Sequence, residues 1–161
     1  KLKKILISLF SVLILLTACS NPIQDDLLSY INDDITPLAD LELEAMNAFD
    51  NVTGANYIDD ETTYNTLIDE VVPIYSEFID ELETIMPDTD EVSKLHEQYI
   101  DAANLQHSAF VNILDALEIG DTELITDANQ KLAEARQEIR TYEQNIVKLA
   151  EENNVELDMN E

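Results

Sequence analysis

The chain has 161 residues, of which 35 are acidic and 8 are basic, so its formal net charge at neutral pH is −27. Nucleic acid is excluded as a direct partner, because binding it requires Lys and Arg side chains that neutralise phosphates. With 2 glycines, 1 cysteine and no tryptophan, the chain has no Gly-rich phosphate loop and no disulfide framework, and it favours helices over sheet.

The chain begins with the pattern of a secretory signal. Lys1, Lys3 and Lys4 precede an apolar run at residues 5–18, and no acidic residue occurs before Asp25. A positive segment, an apolar segment and small residues before a cleavage site follow one another in signal peptides. The run of 14 residues is shorter than the roughly 20 that a transmembrane helix needs; an uncleaved span is the alternative.

The residues Leu16-Thr17-Ala18-Cys19 resemble the lipobox of bacterial lipoproteins, in which an aliphatic residue and two small residues precede an obligatory cysteine. The resemblance implies that Cys19 carries a thioether-linked diacylglycerol, that the chain is cut before it, and that the membrane is its partner through this lipid. Residues 1–18 would be the signal peptide, and residues 19–22 the lipidated N-terminus and its tether. Two acyl chains anchor a protein stably. The alternative is an unmodified thiol beside an ordinary signal-peptidase site.

Two helices are predicted in the first half of the mature domain, at about residues 23–52 and 60–86. Gly54 is expected to stop the first helix and Pro87 the second. Glu42 interrupts the first apolar seam, and Leu41 is expected to cover the gap. The predicted seam residues are Leu28, Ile31, Ile35, Leu38, Ala45, Phe49 and Val52 in the first helix, and Tyr64, Ile68, Val71, Tyr75, Phe78, Leu82 and Ile85 in the second.

Two further helices are predicted in the second half. Asp88 and Glu91 form a capping-box-like pair at the start of the third helix, which Gly120 ends, and the fourth helix follows from Asp121. The acidic tail at residues 153–161 is expected to fray. The predicted seam residues are Val92, Leu95, Tyr99, Ala102, Gln106, Ala109, Ile113 and Leu117, then Ile125, Ala128, Leu132, Ala135, Ile139, Tyr142, Ile146 and Leu149.

Four long helices joined by short turns predict an all-α fold for residues 23–152, an antiparallel up-down-up-down four-helix bundle. The period near 3.5 residues implies left-handed, coiled-coil-like packing. At 1.5 Å per residue the rod is about 45 Å long. An even number of helices returns the C-terminus to the anchored end, so the Pro87 turn is expected near the membrane. The loop at residues 53–60 and the Gly120 turn then form the distal tip.

The sequence contains no catalytic or metal-ligating constellation, so neither enzyme activity nor a cofactor is expected. His96 and His107 both lack the Glu three residues earlier that di-iron bundles use, and both are expected at solvated or flanking positions. The segment Asp50–Glu61 has acids at both ends but lacks the inner donors of a calcium loop. No serine lies within a nucleophile motif.

Pro37 and Pro73 are expected to kink the first two helices at one height of the bundle. We favour the interpretation that small neighbours pack against these kinks. A mid-bundle ligand pocket is the alternative, and a fresh helix starting at Thr36-Pro37 is an alternative to the first kink. The candidate pocket residues are Tyr75, Tyr99, Ala102, Gln106, Ala135 and Tyr142.

The segment Pro37-Leu38-x-x-Leu41-Glu42, opening a long helix after a lipobox, resembles the cell-wall-binding lipoproteins of Bacillus-type bacteria. This resemblance implies a small helical lipoprotein on the outer face of a Gram-positive membrane. We therefore expect a lipid-anchored, non-catalytic binding or structural module directed at an envelope component or a partner protein. The alternative is a small-ligand or cation-binding lipoprotein that uses the mid-bundle pocket or the acidic tip.

Overall fold

The computed structural model of the chain describes residues 21–157; Cys19 and the other residues of the signal region lie outside this range, as do residues 158–161. Within it the chain forms four helices and no strand: α1 at residues 22–50, α2 at residues 60–82, α3 at Asp90–Ile119 and α4 at Thr122–Glu152. They pack as an antiparallel bundle, and the predicted all-α fold is confirmed.

The two ends of the described chain lie together. The Asn21 side chain accepts hydrogen bonds from the backbone N–H groups of Ile23 and Gln24, with Pro22 in the first turn, which is a favourable start for a helix. Asn21 also donates through Nδ2 to Oδ1 of Asn153, at 2.9 Å. The turn after α2 is at this same end, because the Asp26 side chain of α1 accepts hydrogen bonds from Asp88 and Thr89.

Neither α1 nor α2 is a regular α-helix throughout. In α1 the segment Pro22–Ser29 passes into a π-helical turn at Tyr30–Ile35 and a 3-10 turn at Thr36–Leu38 before Ala39–Asp50. In α2 a π-helical turn at Leu67–Val71 separates Asp60–Thr66 from Val72–Leu82. Each π turn directly precedes a proline region, where the missing N–H and the ring's bulk disturb the ordinary ladder. The wider π turn accommodates both the missing N–H group and the bulk of the proline ring.

The π turns shift the buried seam by one residue. Up to the first residue of the π turn of α1 the core residues are Leu27 and Tyr30, both 0% exposed, whereas Leu28 is 37% exposed. In α2 Leu67, the first residue of its π turn, is 0% exposed, whereas Ile68 is 44% exposed. The predicted seams are therefore wrong by one position there, because a π turn holds an extra residue per turn. Beyond the π turns the predicted seams are correct at residues such as Phe49, Phe78 and Leu82.

The two prolines within α1 and α2 lie on the outer faces of these helices, so the predicted mid-bundle residues do not pack around their rings. Pro37 and Pro73 are both exposed, which removes the reason for expecting small neighbours against them. The helical path through Thr36 is continuous, and its hydroxyl donates to the carbonyl oxygen of Ile31 at 2.7 Å. The alternative of a fresh helix starting at Thr36 is therefore not what the structure shows.

The turn between α2 and α3 differs from its prediction. Helix α2 ends at Leu82, four residues before the predicted end, and α3 is capped by Thr89, whose hydroxyl accepts from the N–H of Val92. The expected capping role of Asp88 is absent because the buried Asp26 carboxylate accepts hydrogen bonds from the N–H groups of both Asp88 and Thr89, at 3.0 and 2.8 Å. Asp26 thereby fixes this turn to α1.

Of the two helix ends predicted at glycines, one is confirmed and one is not. Gly120 has φ +70° and follows α3 directly, and its N–H donates to the carbonyl oxygen of Ala116, so the predicted stop is confirmed. Gly54 does not terminate α1, which ends at Asp50; it begins a short 3-10 turn, Gly54–Asn56. At this distal end the Thr63 hydroxyl donates to the carbonyl oxygen of Val52 at 3.0 Å.

The core runs along the bundle and includes part of the expected tail. Residues 153–157, predicted to fray, pack back on the bundle: Val155 is 8% exposed and its N–H donates to the carbonyl oxygen of Ala150. Burial of each large apolar side chain contributes about 1.5–3 kcal/mol. The largest fully buried side chains are Tyr30, Tyr75, Phe78, Phe110, Leu27, Leu67 and Leu82. None of the helices in residues 21–157 has the length and apolar character needed to cross a bilayer.

Candidate functional site

The predicted mid-bundle residues are all buried. Tyr99 and Tyr142 stack with ring centroids 4.5 Å apart, and the Gln106 amide donates to the sulfur of Met46. Tyr75 packs instead against Phe110, with centroids 5.3 Å apart. The structure therefore brings Tyr99 and Tyr142 into direct contact. The six predicted residues, none of which lines either cleft described below, are Tyr75, Tyr99, Ala102, Gln106, Ala135 and Tyr142.

A buried polar network crosses three of the helices at this level. The Tyr99 hydroxyl donates to Oε2 of Glu42 at 2.6 Å. The Tyr30 hydroxyl lies 3.0 Å from that of Tyr142 and 3.3 Å from Nδ1 of His96. Glu42 thus enters the gap in the α1 seam through its contact with Tyr99, and Leu41 packs half-buried against the core beside it. His96, expected near solvent, is 4% exposed, which corrects the sequence interpretation.

Burial sets the protonation of this network. It raises the pKa of the Glu42 carboxyl, and nearby Glu143 acts in the same direction, while the hydrogen bond from Tyr99 opposes the rise. Burial lowers the pKa of His96, and the nearby Leu82 carbonyl opposes this without meeting hydrogen-bond geometry. Burial also raises the pKa of Tyr30 and of the other core tyrosines, which therefore stay protonated at neutral pH.

Two polar atoms of this region have no hydrogen-bond partner within the described residues: the hydroxyl of Tyr75 and Nε2 of His96. An unpaired buried polar group is unfavourable by about 1–3 kcal/mol. The Tyr30 hydroxyl is therefore paired within the network, whereas Nε2 of His96 and the Tyr75 hydroxyl are unpaired. Such a network orients helices against one another.

A serine–histidine contact is present that the sequence did not indicate. Oγ of Ser76 in α2 lies 2.9 Å from Nε2 of His107 in α3, and burial lowers the pKa of His107, which favours the neutral ring. The pair is separated by 31 residues, so no local motif could predict it. Neither residue lines a cleft described here, and within residues 21–157 no carboxylate orients the imidazole as in a catalytic triad.

A cleft of about 850 Å³ opens at the distal end of the bundle; we call it the distal cleft. Its walls come from the end of α1, the loop after it, and the adjoining ends of α2, α3 and α4. The larger apolar residues lining it include Phe49, Ile113, Leu117, Ile125 and Leu132, and the charged ones are Asp50, Asp60, Asp121 and Arg136. The sequence indicated the acidic tip but not this concave apolar floor.

The course of α1 explains the cleft. The first half of α1 lies beside the C-terminal half of α4, as the contacts Asn21–Asn153 and Tyr30–Tyr142 show. Beyond the π and 3-10 turns the segment Ala39–Asp50 packs mainly on α2. The two halves therefore have different neighbours, and the distal half of α1 leaves α4 only partly covered. The apolar side of α4 is open there between the helices.

The rim of the distal cleft holds carboxylates in defined positions. The Tyr57 hydroxyl donates to Oδ1 of Asp60 at 2.8 Å, and this hydrogen bond raises the pKa of Tyr57. Oδ1 of Asp121 caps α4 by accepting from the N–H of Glu123 at 2.8 Å. The side chain of Asp50 makes no hydrogen bond or ion pair within the described residues. The Asp50 carboxylate on the rim therefore has no partner within the described residues.

Exposed apolar side chains accompany the distal cleft. Tyr57, Ile58 and Ile119 are 52%, 70% and 68% exposed, and all three belong to the distal turns. Two other strongly exposed apolar residues lie elsewhere: Leu43 in α1, at 58%, and Met86 at the opposite end, at 87%. Clustered exposed apolar residues beside a cleft are typical of binding surfaces.

The remaining chemistry of the described residues is sparse. Within residues 21–157 no group of three or more His, Cys, Asp or Glu side chains is placed to hold a metal ion. A second cleft, of about 540 Å³, is lined by Glu143, Gln144, Ile146, Val147 and Leu157. Cys19 lies outside the described residues, so its lipidation stays a prediction.

No protein-family model, curated protein or solved structure matches this chain.

Proposed function

We propose that the chain is a lipid-anchored, non-catalytic helical-bundle lipoprotein of the cell envelope that acts as a binding module. The lipobox-like residues Leu16-Thr17-Ala18-Cys19 support the anchor. One structural observation carries the binding role: Asn21, which follows Cys19 by two residues in the sequence, lies at the opposite end of the bundle from the distal cleft. With α3 of 30 residues, the two ends are about 45 Å apart. A lipid on Cys19 would hold the cleft away from the membrane.

The resemblance to cell-wall-binding lipoproteins supports a Gram-positive surface location. Its segment Pro37-Leu38-x-x-Leu41-Glu42 coincides with the passage from the 3-10 turn into Ala39–Asp50, and Glu42 pairs with Tyr99. These residues lie at the bend that separates the two halves of α1.

Photo-crosslinking in intact bacteria that express the lipidated chain tests the proposed binding end. A photoreactive amino acid replaces either Ile58 at the distal end or Met86 at the anchored end, both of which are exposed. We expect larger crosslinked species from position 58 and none from the matched position 86. Adducts at position 86 alone, or equal yields at both, would contradict a distal binding surface.

A second candidate function is small-ligand binding, and the volume of the distal cleft favours it. Ligand sites in proteins measure about 300–1,000 Å³ and are mostly apolar with a few polar groups, which describes this cleft. The mid-bundle residues, the other location considered, are buried against one another. Small-ligand binding at the distal cleft is compatible with the anchoring of the chain.

A further inference from the structure

We propose that the distal cleft binds a small organic cation with an apolar body, held between the carboxylates of its rim and the aromatic and aliphatic residues of its floor. The inference deepens the proposed function and rests on the distal end being the binding end. It commits to a free small molecule, because the cleft is concave and of about 850 Å³, the size of a ligand site.

The floor supplies the apolar contact. Phe49 and Leu132 are 4% and 5% exposed, and Ile125 and Leu117, which also line the cleft, are half-buried. These residues come from α1, α3 and α4, so they form a surface only in the folded bundle. Aliphatic and aromatic side chains of this kind bind the hydrocarbon part of a ligand by removing it from water.

The charge on the rim selects a positive head group. Asp60 and Asp121 have structural roles at the starts of α2 and α4, where negative charge is favourable. Asp50 has no such role, because it is the last residue of α1, and a carboxylate at a helix C-terminus opposes the helix dipole. A charge that is unfavourable for the helix and unpaired beside a cleft is available to a cationic ligand.

An aromatic ring adds a second feature that recognises cations. The ring of Tyr57 lines the distal cleft and is 52% exposed, and its hydroxyl is held by Asp60 at 2.8 Å. The face of such a ring attracts an ammonium group within about 6 Å of its centre. The rim therefore offers carboxylates and an oriented aromatic face together.

Arg136 does not reverse this selection. It is the one basic residue beside the three carboxylates that line the cleft, Asp50, Asp60 and Asp121, so the lining has a formal net charge of −2. Along α4 it lies 14 residues after Thr122, about 21 Å from the start of the helix, and therefore away from Asp121 at that start. The formal net charge of −27 for the whole chain also disfavours an anionic ligand.

Titration calorimetry on the lipidated full chain in phosphatidylcholine nanodiscs tests the inference, with empty nanodiscs as the blank. Three probes share one apolar body: 4-phenylbutylamine is a cation, 4-phenylbutanol is neutral and 4-phenylbutanoate is an anion. We expect the amine to bind most tightly and its advantage to shrink as salt is raised. Equal affinities, tightest binding of the acid, or binding of none of the three would overturn the inference.

Two variants separate the roles of rim and floor. Asp50→Asn should weaken the amine by about three- to fivefold and leave the alcohol unchanged, whereas Ile125→Ala should weaken all three probes. Glu118→Gln is the matched control, because Glu118 is also an exposed carboxylate in the last turn of a helix but does not line the cleft. Equal effects of Asp50→Asn and Glu118→Gln would show that only overall charge matters, against the inference.

This experiment can fail independently of the proposed function. Crosslinks at position 58 together with no binding of the amine would leave the distal end as a binding surface and refute only the cationic ligand. Absence of crosslinks together with selective binding of the amine would support the cleft as a small-ligand site and count against a larger envelope partner.

Discussion

Tyr30 and Tyr75 provide a matched test of the buried polar network, because both side chains are 0% exposed but only one hydroxyl is paired. The Tyr30 hydroxyl lies 3.0 Å from the Tyr142 hydroxyl and 3.3 Å from Nδ1 of His96. The Tyr75 hydroxyl has no partner within the described residues. Substitution by Phe removes the same oxygen atom from each site and changes the side-chain volume equally.

The expected effects differ in sign. Tyr30→Phe removes two hydrogen bonds and leaves Tyr142 and His96 unpaired, so it should lower the free energy of unfolding by about 1–3 kcal/mol. At about 2–4 °C per kcal/mol for a domain of this size, Tm should fall by roughly 2–12 °C. Tyr75→Phe removes an unpaired buried hydroxyl, and it should leave stability unchanged or raise it by up to about 2 kcal/mol.

Thermal and urea unfolding of the two variants, followed by circular dichroism at neutral pH, measure this difference. Unchanged urea m-values would show that the unfolded states are comparable. Equal losses in both variants would mean that the hydroxyls contribute only through general packing. A larger loss for Tyr75→Phe would show that its hydroxyl is paired, and either result would refute the reasoning.

Three further predictions concern the core and the anchor. Ala102→Leu and Ala135→Leu should each lower the free energy of unfolding by about 1–3 kcal/mol, because both alanines are 0% exposed and overpacking strains a filled core. Higher stability of either variant in urea or thermal unfolding would instead support a mid-bundle pocket. Burial raises the pKa of Glu42, so the wild type gains stability as pH falls through that raised value. Glu42→Gln should therefore raise Tm at neutral pH and have little effect in acid. An equal gain in Tm at neutral and acid pH would exclude ionisation of Glu42 as the cause. Cys19→Ala should abolish metabolic labelling by a fatty-acid analogue, and label retained by this variant would rule out Cys19 as the sole lipid attachment site.

Periodicity was sufficient to predict the fold where the helices are regular. In α3 and α4 the predicted seams agree with burial at residues such as Val92, Tyr99, Ile113 and Tyr142. These helices have no internal proline, so one helical period holds from end to end. The class of fold and the number of helices followed from such stretches together with the short turns between them.

Periodicity failed in the N-terminal parts of α1 and α2 for a definite reason. Each π turn holds an extra residue, so a seam that is in phase at Phe49 or Phe78 is out of phase at Leu28 or Ile68. Pro37 and Pro73 gave the signal of an irregularity, but a proline alone does not distinguish a simple kink from a π turn. The buried residues Leu27, Tyr30 and Leu67 were missed for this reason.

The buried polar contacts could not be predicted from the sequence, for a different reason. Glu42–Tyr99, Tyr30–His96 and Ser76–His107 join residues on different helices, and their partnership depends on how the helices are rotated. A polar residue in an apolar seam, such as Glu42, is the one signal that the sequence contains. Because an unpaired buried carboxylate is very unfavourable, such a residue predicts a buried partner without naming it.

The bend of α1 connects the buried network to the distal cleft. The network holds the first half of α1 against α4 through Tyr30 and Tyr142 and the second half against α3 through Glu42 and Tyr99. The π and 3-10 turns between these contacts allow one helix to satisfy both. A straight α1 anchored at Tyr30 would continue along α4 and cover the apolar side chain of Ile125. The same irregularity that disturbed the sequence pattern therefore leaves the cleft open at the end farthest from the predicted lipid anchor.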